Sequence, residues 1–171
     1  MSVEIEKAKS LNLDDIEKIY NSVHDSGEST GWVKWVYPTR ESAKNAISND
    51  EMYVMKDNQK VVAVAVMNKK QVKEYKNAKW NYDAKEDEIM VIHGLAVDMN
   101  LKNMGYGTRF IKFYEEYAKK NNCKLLRMDT NVINKKARRL YNKLGFSEVG
   151  VVDPVFNGIP NVKLVCFEKE I

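Results

Sequence analysis

Apolar positions along the chain change their spacing several times, and each change marks an element. Val3 and Ile5 alternate with Glu4 and Glu6, as in a first strand with one face on a core. Ile16, Ile19, Tyr20 and Val23 then recur at helical spacing, in a helix that opens at Asn12 or Leu13. His24-Asp25-Ser26-Gly27-Glu28-Ser29-Thr30-Gly31 is polar and rich in turn formers, so it reads as a loop. Trp32, Trp35, Val36 and Tyr37 follow, an aromatic concentration beside that loop. Thr39 stands where an N-cap belongs, ahead of a helix running to about Ile47.

Residues 52–56 and 61–67 predict two strands around a tight turn at Asp57-Asn58-Gln59. Residues 69–87 are charged and lack firm periodicity; they fit a long hairpin connection or one with a helical turn around Val72 to Tyr75. Residues 89–97 are apolar on both faces and predict a central strand. Phe110, Ile111, Tyr114, Tyr117 and Ala118 form one helical stripe over 110–119. A strand at 124–128 and a helix at 134–144 come next, the helix ended by Gly145. Strands at 146–152 and 162–167, separated by a turn region at 154–160, close the chain. The order β-α-α-β-β-β-α-β-α-β-β is that of an α/β (α+β) fold around a mixed sheet.

At 171 residues the chain reads as a single domain, 1–171, long enough to bury a full core. No apolar run approaches a membrane span and the N-terminus lacks an apolar signal region, so the expectation is a cytoplasmic protein with no membrane partner. Cys123 and Cys166 form no metal-binding pair; two reduced thiols are expected, and no metal. With 28 basic and 24 acidic residues, the net +4 suits an anionic ligand and is too mild to argue for nucleic acid.

The candidate chemistry concentrates in Lys102-Asn103-Met104-Gly105-Tyr106-Gly107-Thr108, between the apolar strand and a helix. Two glycines at such a junction let a ligand approach the backbone, and unpaired first-turn amides there suit a phosphate or pyrophosphate. Thr108-Arg109 after Gly107 excludes a P-loop ending, and Phe110 is too bulky for the third glycine of a dinucleotide fingerprint. An ordinary flexible turn remains the alternative for an isolated Gly-x-Gly.

Context decides between these readings. Leu95-Ala96-Val97-Asp98, the glycine loop, and Asn134-x-x-Ala137-x-x-Leu140-Tyr141-x-x-Leu144-Gly145-Phe146 together resemble the core of the GNAT superfamily of acyl-CoA-dependent N-acetyltransferases. The resemblance is strong over about a third of the chain, 89–146, and follows the family's strand-helix order elsewhere; Lys102 stands where the family usually has Gln or Arg. The resemblance implies the GNAT fold, a mixed sheet of six to seven strands with splayed strands four and five, flanked by about four helices. It implies acetyl-CoA or CoA as cofactor, with the pyrophosphate on Lys102, Asn103, Met104, Gly105, Tyr106, Gly107 and Thr108. The pantetheine arm would meet the backbones of Leu95, Ala96 and Val97, with Asn134, Ala137 and Tyr141 contributing from the second motif. Asn134 also reads as a helix N-cap.

By the same resemblance Tyr141 is the general acid at the departing sulfur, against the alternative of a core tyrosine. His93 is the general base, or else a satisfied histidine within a sheet. Glu28 and Trp32 belong to the region that covers the acceptor in this family; a surface loop with packed aromatics is the other reading. The expected activity is an acyltransferase reaction, acetyl transfer from acetyl-CoA to an amine by direct attack in a ternary complex. A non-catalytic acyl-CoA-binding or regulatory domain, and a protein- or RNA-modifying acetyltransferase, are the rivals. A small-molecule amine is the expected acceptor, its identity open, and a homodimer is a common outcome for such domains.

Overall fold

The computed structural model describes residues 2–154 and 158–171. The expected turn at 154–160 therefore lies partly outside the described residues. Among those described, the elements are β1 (Val3–Lys7), α1 (Leu13–His24), α2 (Arg40–Ser48), β2 (Met52–Asp57), β3 (Lys60–Asn68), β4 (Ile89–Val97), α3 (Tyr106–Lys120), β5 (Leu125–Asn131), α4 (Lys135–Lys143), β6 (Ser147–Val152) and β7 (Leu164–Glu170). This is the order the sequence predicts. The seven strands follow one another in the sheet as β1-β2-β3-β4-β5-β7-β6.

The β4–β5 pairing is parallel, as the crossover helix α3 between them requires, and runs from Ile89↔Leu125 to Val91↔Arg127; β4 continues past it to Val97. The β1–β2, β2–β3, β5–β7 and β6–β7 pairings are antiparallel. The β2–β3 hairpin closes on two residues, Asn58 and Gln59, with φ of 49° and 70°, the left-handed pair that matches strand twist.

The chain divides into two compact units. The first comprises Met1–Glu28, Trp32–Met67 and Ile92–Tyr114. Its core joins Ile16, Ile19, Tyr20 and Val23 of α1 and Ala43 and Ala46 of α2 to Met52, Val54, Val61 and Val64 of the hairpin and Ala96 of β4. These are the apolar stripes read from the sequence, and their burial is what holds two short helices to the strands. Thr39 caps α2 as predicted: its Oγ1 accepts the Ser42 N–H at 3.2 Å while Ser42 Oγ accepts the Thr39 N–H at 2.9 Å.

The second unit comprises Ser29–Gly31, Asn68–Val91 and Glu115–Ile171. Its core includes Tyr75, Ile89, Val91, Leu125, Val152, Leu164 and Cys166. The aperiodic stretch after β3 carries a short helical turn at Lys73–Asn77, one of its two expected forms. A buried ion pair fastens this stretch. Arg127 Nε meets Glu168 Oε2 at 3.1 Å, and the same guanidinium donates to Gln71 Oε1 at 2.9 Å and the Tyr82 carbonyl at 3.1 Å. It also lies 4.0 Å from the Trp80 ring centroid, and Glu168 Oε1 accepts the Asn81 N–H.

Three boundaries differ from expectation by three residues or more. α3 starts at Tyr106, four residues before Phe110, because Gly105 (φ 79°) makes the turn and the helix follows at once. β5 runs on to Asn131 because Asp129, Thr130 and Asn131 pair through backbone with Cys166, Val165 and Leu164, which needs no apolar side chain. β7 runs to Glu170 because Glu168 is neutralised by Arg127, and Lys169 by Glu115 at 2.8 Å. Among the described residues no helix is long and apolar enough to cross a membrane.

Candidate active site

In the first unit, Lys102, Asn103, Met104 and Gly105 form an exposed turn ahead of α3. Asn103 (φ 65°) and Gly105 (φ 79°) both take the left-handed conformation. A Cβ built on Gly105 would have no atom within 4 Å, so this side of the turn is open. The Arg109 N–H bonds the Gly105 carbonyl at 3.0 Å, which leaves the amides of Tyr106, Gly107 and Thr108 without an intrahelical acceptor. Three free amides at the positive end of a fifteen-residue helix, with an open approach, fit an anionic pyrophosphate.

The side chain of Tyr106 has another task. It is buried and donates to Asp57 Oδ2 at 2.6 Å, a bond that also raises its pKa. Of that residue only the amide is offered to a ligand. Lys102 and Met104 are exposed, and Thr108 is half-buried.

The C-terminal half of β4 carries His93, Gly94, Leu95 and Val97, all half-buried, with Ala96 turned into the α1–α2 core. Gly94 has φ 59°, and a Cβ there would stand 3.0 Å from the Tyr37 hydroxyl. The glycine thus admits Tyr37 to the strand beside His93. Tyr37 meets Trp32 edge-on at 6.4 Å between centroids, and Trp32 meets His24 at 6.3 Å. His24 Nε2 donates to the Pro38 carbonyl at 2.9 Å, while its buried Nδ1 has no partner among the described residues.

Of the two residues predicted for the acceptor side, Trp32 joins this aromatic group and packs on the core. Glu28 is exposed, and its carboxylate has no partner among the described residues. Asp25 is paired with Lys34 at 2.6 Å, so its charge is already answered.

In the second unit, Asn134 caps α4: its Oδ1 accepts the Ala137 N–H at 3.2 Å. Ala137 is half-buried one turn along. Tyr141 is buried against Phe167 and Phe146, at 5.4 and 6.3 Å between centroids. Its hydroxyl has no hydrogen-bond partner among the described residues. Burial pushes its pKa well up, and the charge of Asp129 adds to the shift, so the phenol stays protonated across the neutral range. Arg138 is taken by Glu148 in a two-point contact at 2.9 Å each and by the Val132 carbonyl. Lys135 and Lys136 are exposed.

Three residues in this unit escaped the sequence reading. Tyr75 donates its hydroxyl to Asp129 Oδ2 at 2.5 Å. Burial raises the Asp129 carboxyl to about 6, the Tyr75 bond pulling the other way. The one available signal was an acid on the strand five residues before the Asn134 cap. Gly31 also belongs here: a Cβ at that position would overlap the side-chain amide of Asn131.

The family model described as Acetyltransferase (GNAT) family matches residues 14–146. An uncharacterized N-acetyltransferase of Methanocaldococcus jannaschii is 36% identical over 73 residues, which are 43% of this chain and 32% of that protein. The chain thus spans about a third of the length of that relative. A GNAT-family acetyltransferase of Streptococcus agalactiae superposes with a TM-score of 0.79 at 20% identity, over 99% of this chain and 95% of that one. An acetyltransferase of Salmonella typhimurium, solved with its cofactor acetyl-CoA, gives 0.69 at 14% identity over 99% and 94%. At these identities the superpositions speak for the fold.

Proposed function

This chain belongs to the acetyltransferase (GNAT) family, and from that premise we propose that it transfers an acetyl group from acetyl-CoA to an amine by direct attack. The observation that carries the reading is the open turn at Gly105 followed by three unpaired amides at the start of α3. It suits a pyrophosphate without help from Lys102, whose ammonium adds a point charge. Bound acetyl-CoA would supply a thioester activated for attack by nitrogen.

The protein's own residues then divide the work. The amides of Met104, Gly105, Tyr106, Gly107 and Thr108 hold the pyrophosphate, with Lys102, Asn103 and the Thr108 hydroxyl at its edge. Leu95, Ala96 and Val97 offer backbone groups to the amide-rich arm of the cofactor. Asn134 keeps α4 capped and presents Ala137 and Tyr141. Tyr141, kept protonated by burial, gives its proton to the departing thiolate. His93 takes a proton from the acceptor ammonium, and the half-buried Trp32 with Glu28 lines its approach. A small-molecule amine is the proposed acceptor.

Isothermal titration with acetyl-CoA tests the cofactor half of this reading; saturable binding at micromolar protein is expected, and its absence would overturn it. Tyr141→Phe is expected to lower kcat by about 10²-fold while leaving acetyl-CoA affinity within about twofold. A full-rate variant would remove Tyr141 from the chemistry.

A further inference from the structure

Asp129 is placed as no purely structural carboxylate needs to be. It lies near the end of β5, on a strand whose Leu125, Leu126, Arg127 and Met128 are buried, yet it is itself only half-buried. Tyr75 holds one of its oxygens at 2.5 Å. Tyr75 is itself fixed: it is 1% exposed, its ring lies 5.2 Å from that of Trp80, and its carbonyl accepts the Trp80 Nε1–H at 2.6 Å. The Arg127 guanidinium in turn lies over the Trp80 ring, 4.0 Å from its centroid.

The other oxygen, Oδ1, has no hydrogen-bond partner among the described residues. Among the described residues no cation pairs with the carboxylate either: Arg127, two residues away on the same strand, is paired with Glu168. The remaining titratable groups facing Asp129 are neutral at ordinary pH. Cys166 opposite it on β7 has its thiol pushed up to about 12 by burial, then by Asp129, with Arg127 opposing. Tyr141 on α4 feels the same carboxylate. A pinned carboxylate with one free oxygen, set among neutral groups and electrostatically coupled to the proposed acid, has the attributes of a proton acceptor.

We propose that Asp129 is a second acid–base residue of the transfer reaction, and that Tyr75 is its positioning residue. The inference rests on the acetyltransferase reading given above and assigns to Asp129 the proton removal otherwise given to His93. Asp129 Oδ1 takes one proton from the acceptor ammonium, leaving a lone pair on nitrogen. The C–N bond forms as the thioester C–S bond breaks, and the thiolate collects the Tyr141 proton. The second proton shed by the nitrogen restores Tyr141. Asp129 releases its proton to solvent, so one proton leaves per turnover and the charges balance.

Two measurements test this. The first is a carboxyl-carbon NMR titration of the protein without cofactor. One aspartate is expected to titrate near pH 6, to vanish in Asp129→Asn and to titrate higher in Tyr75→Phe, because the Tyr75 bond favours the ionised form. The second is the pH dependence of kcat/KM, taken once wild-type turnover of an amine is in hand. Absent turnover would count against the acetyltransferase reading, whereas the NMR titration stands independently of it.

The wild-type rate is expected to fall below about pH 6, where a base with that pKa becomes protonated. Tyr75→Phe should move that limb upward, and Asp129→Asn should lower the plateau by about 10²-fold, with Asp129→Glu restoring part of it. Acetyl-CoA titration of each variant serves as the folding control. The proposal is overturned if Asp129→Asn keeps the plateau and the limb, if Tyr75→Phe leaves limb and titration unmoved, or if His93→Ala alone abolishes the limb.

Discussion

Burial at Asp129 has a consequence for stability that can be separated from catalysis. The folded-state pKa is raised to about 6 from the ordinary aspartate value of 3.8, so the folded state binds this proton more tightly than the unfolded one. Its contribution is fully present below the unfolded value and is lost as pH rises through about 6. Asp129→Asn keeps an acceptor for Tyr75 and removes the charge. It is expected to be more stable than wild type near pH 8 by roughly 1–3 kcal/mol, with the gap shrinking toward about pH 4. Urea unfolding at the two pH values checks this; a pH-independent difference would contradict it.

At Gly105 the expected effect falls on affinity. Gly105→Val forces a β-branched residue to φ 79° and fills the open side of the turn, so acetyl-CoA should bind about tenfold more weakly or worse by isothermal titration. The glycine loop and Tyr141 were legible in the sequence because each belongs to a local motif with fixed spacing. The Tyr75–Asp129 bond was not, since it joins residues 54 apart and one of them lies in a stretch without periodicity. The engagement of Arg138 by Glu148 and of Tyr106 by Asp57 was hidden for the same reason: long side chains choose partners in space.

Among the elements, the central strand and the capped second helix were readable almost to the residue. β4 was expected at 89–97 and forms as Ile89–Val97, and the capped helix after Thr39 forms as Arg40–Ser48. The connection from Asn68 to β4 was not readable, because it is held by side chains and backbone carbonyls around one buried charge. Arg127 and Glu168 are 7% and 1% exposed, and breaking such a pair on one side leaves an unanswered buried charge. Arg127→Met is expected to cost about 3–5 kcal/mol in chemical denaturation, and the double variant Arg127→Met with Glu168→Met much less. A single variant within about 1 kcal/mol of wild type would show that the pair does not fasten the connection.

For the whole molecule, the order of four α-helices and seven strands among the described residues, the parallel β4–β5 pairing and the family model over residues 14–146 agree with the reading of three short motifs. Fold and family were legible because glycine loop, capped helix and strand recur in order at characteristic spacing. The acceptor was not. Under the proposed function it would be recognised by residues such as Glu28 and Trp32, whose type follows the amine and not the fold. Acetyl transfer to an amine is therefore the central claim, and thiol release from acetyl-CoA across amine classes, with the products identified by mass spectrometry, tests it most directly. The account predicts CoA release matched by an acetylated amine for at least one class, lost to about 10²-fold in Tyr141→Phe. Tight acetyl-CoA binding with no release above the uncatalysed rate for any amine would contradict it and leave a binding domain in place of an enzyme.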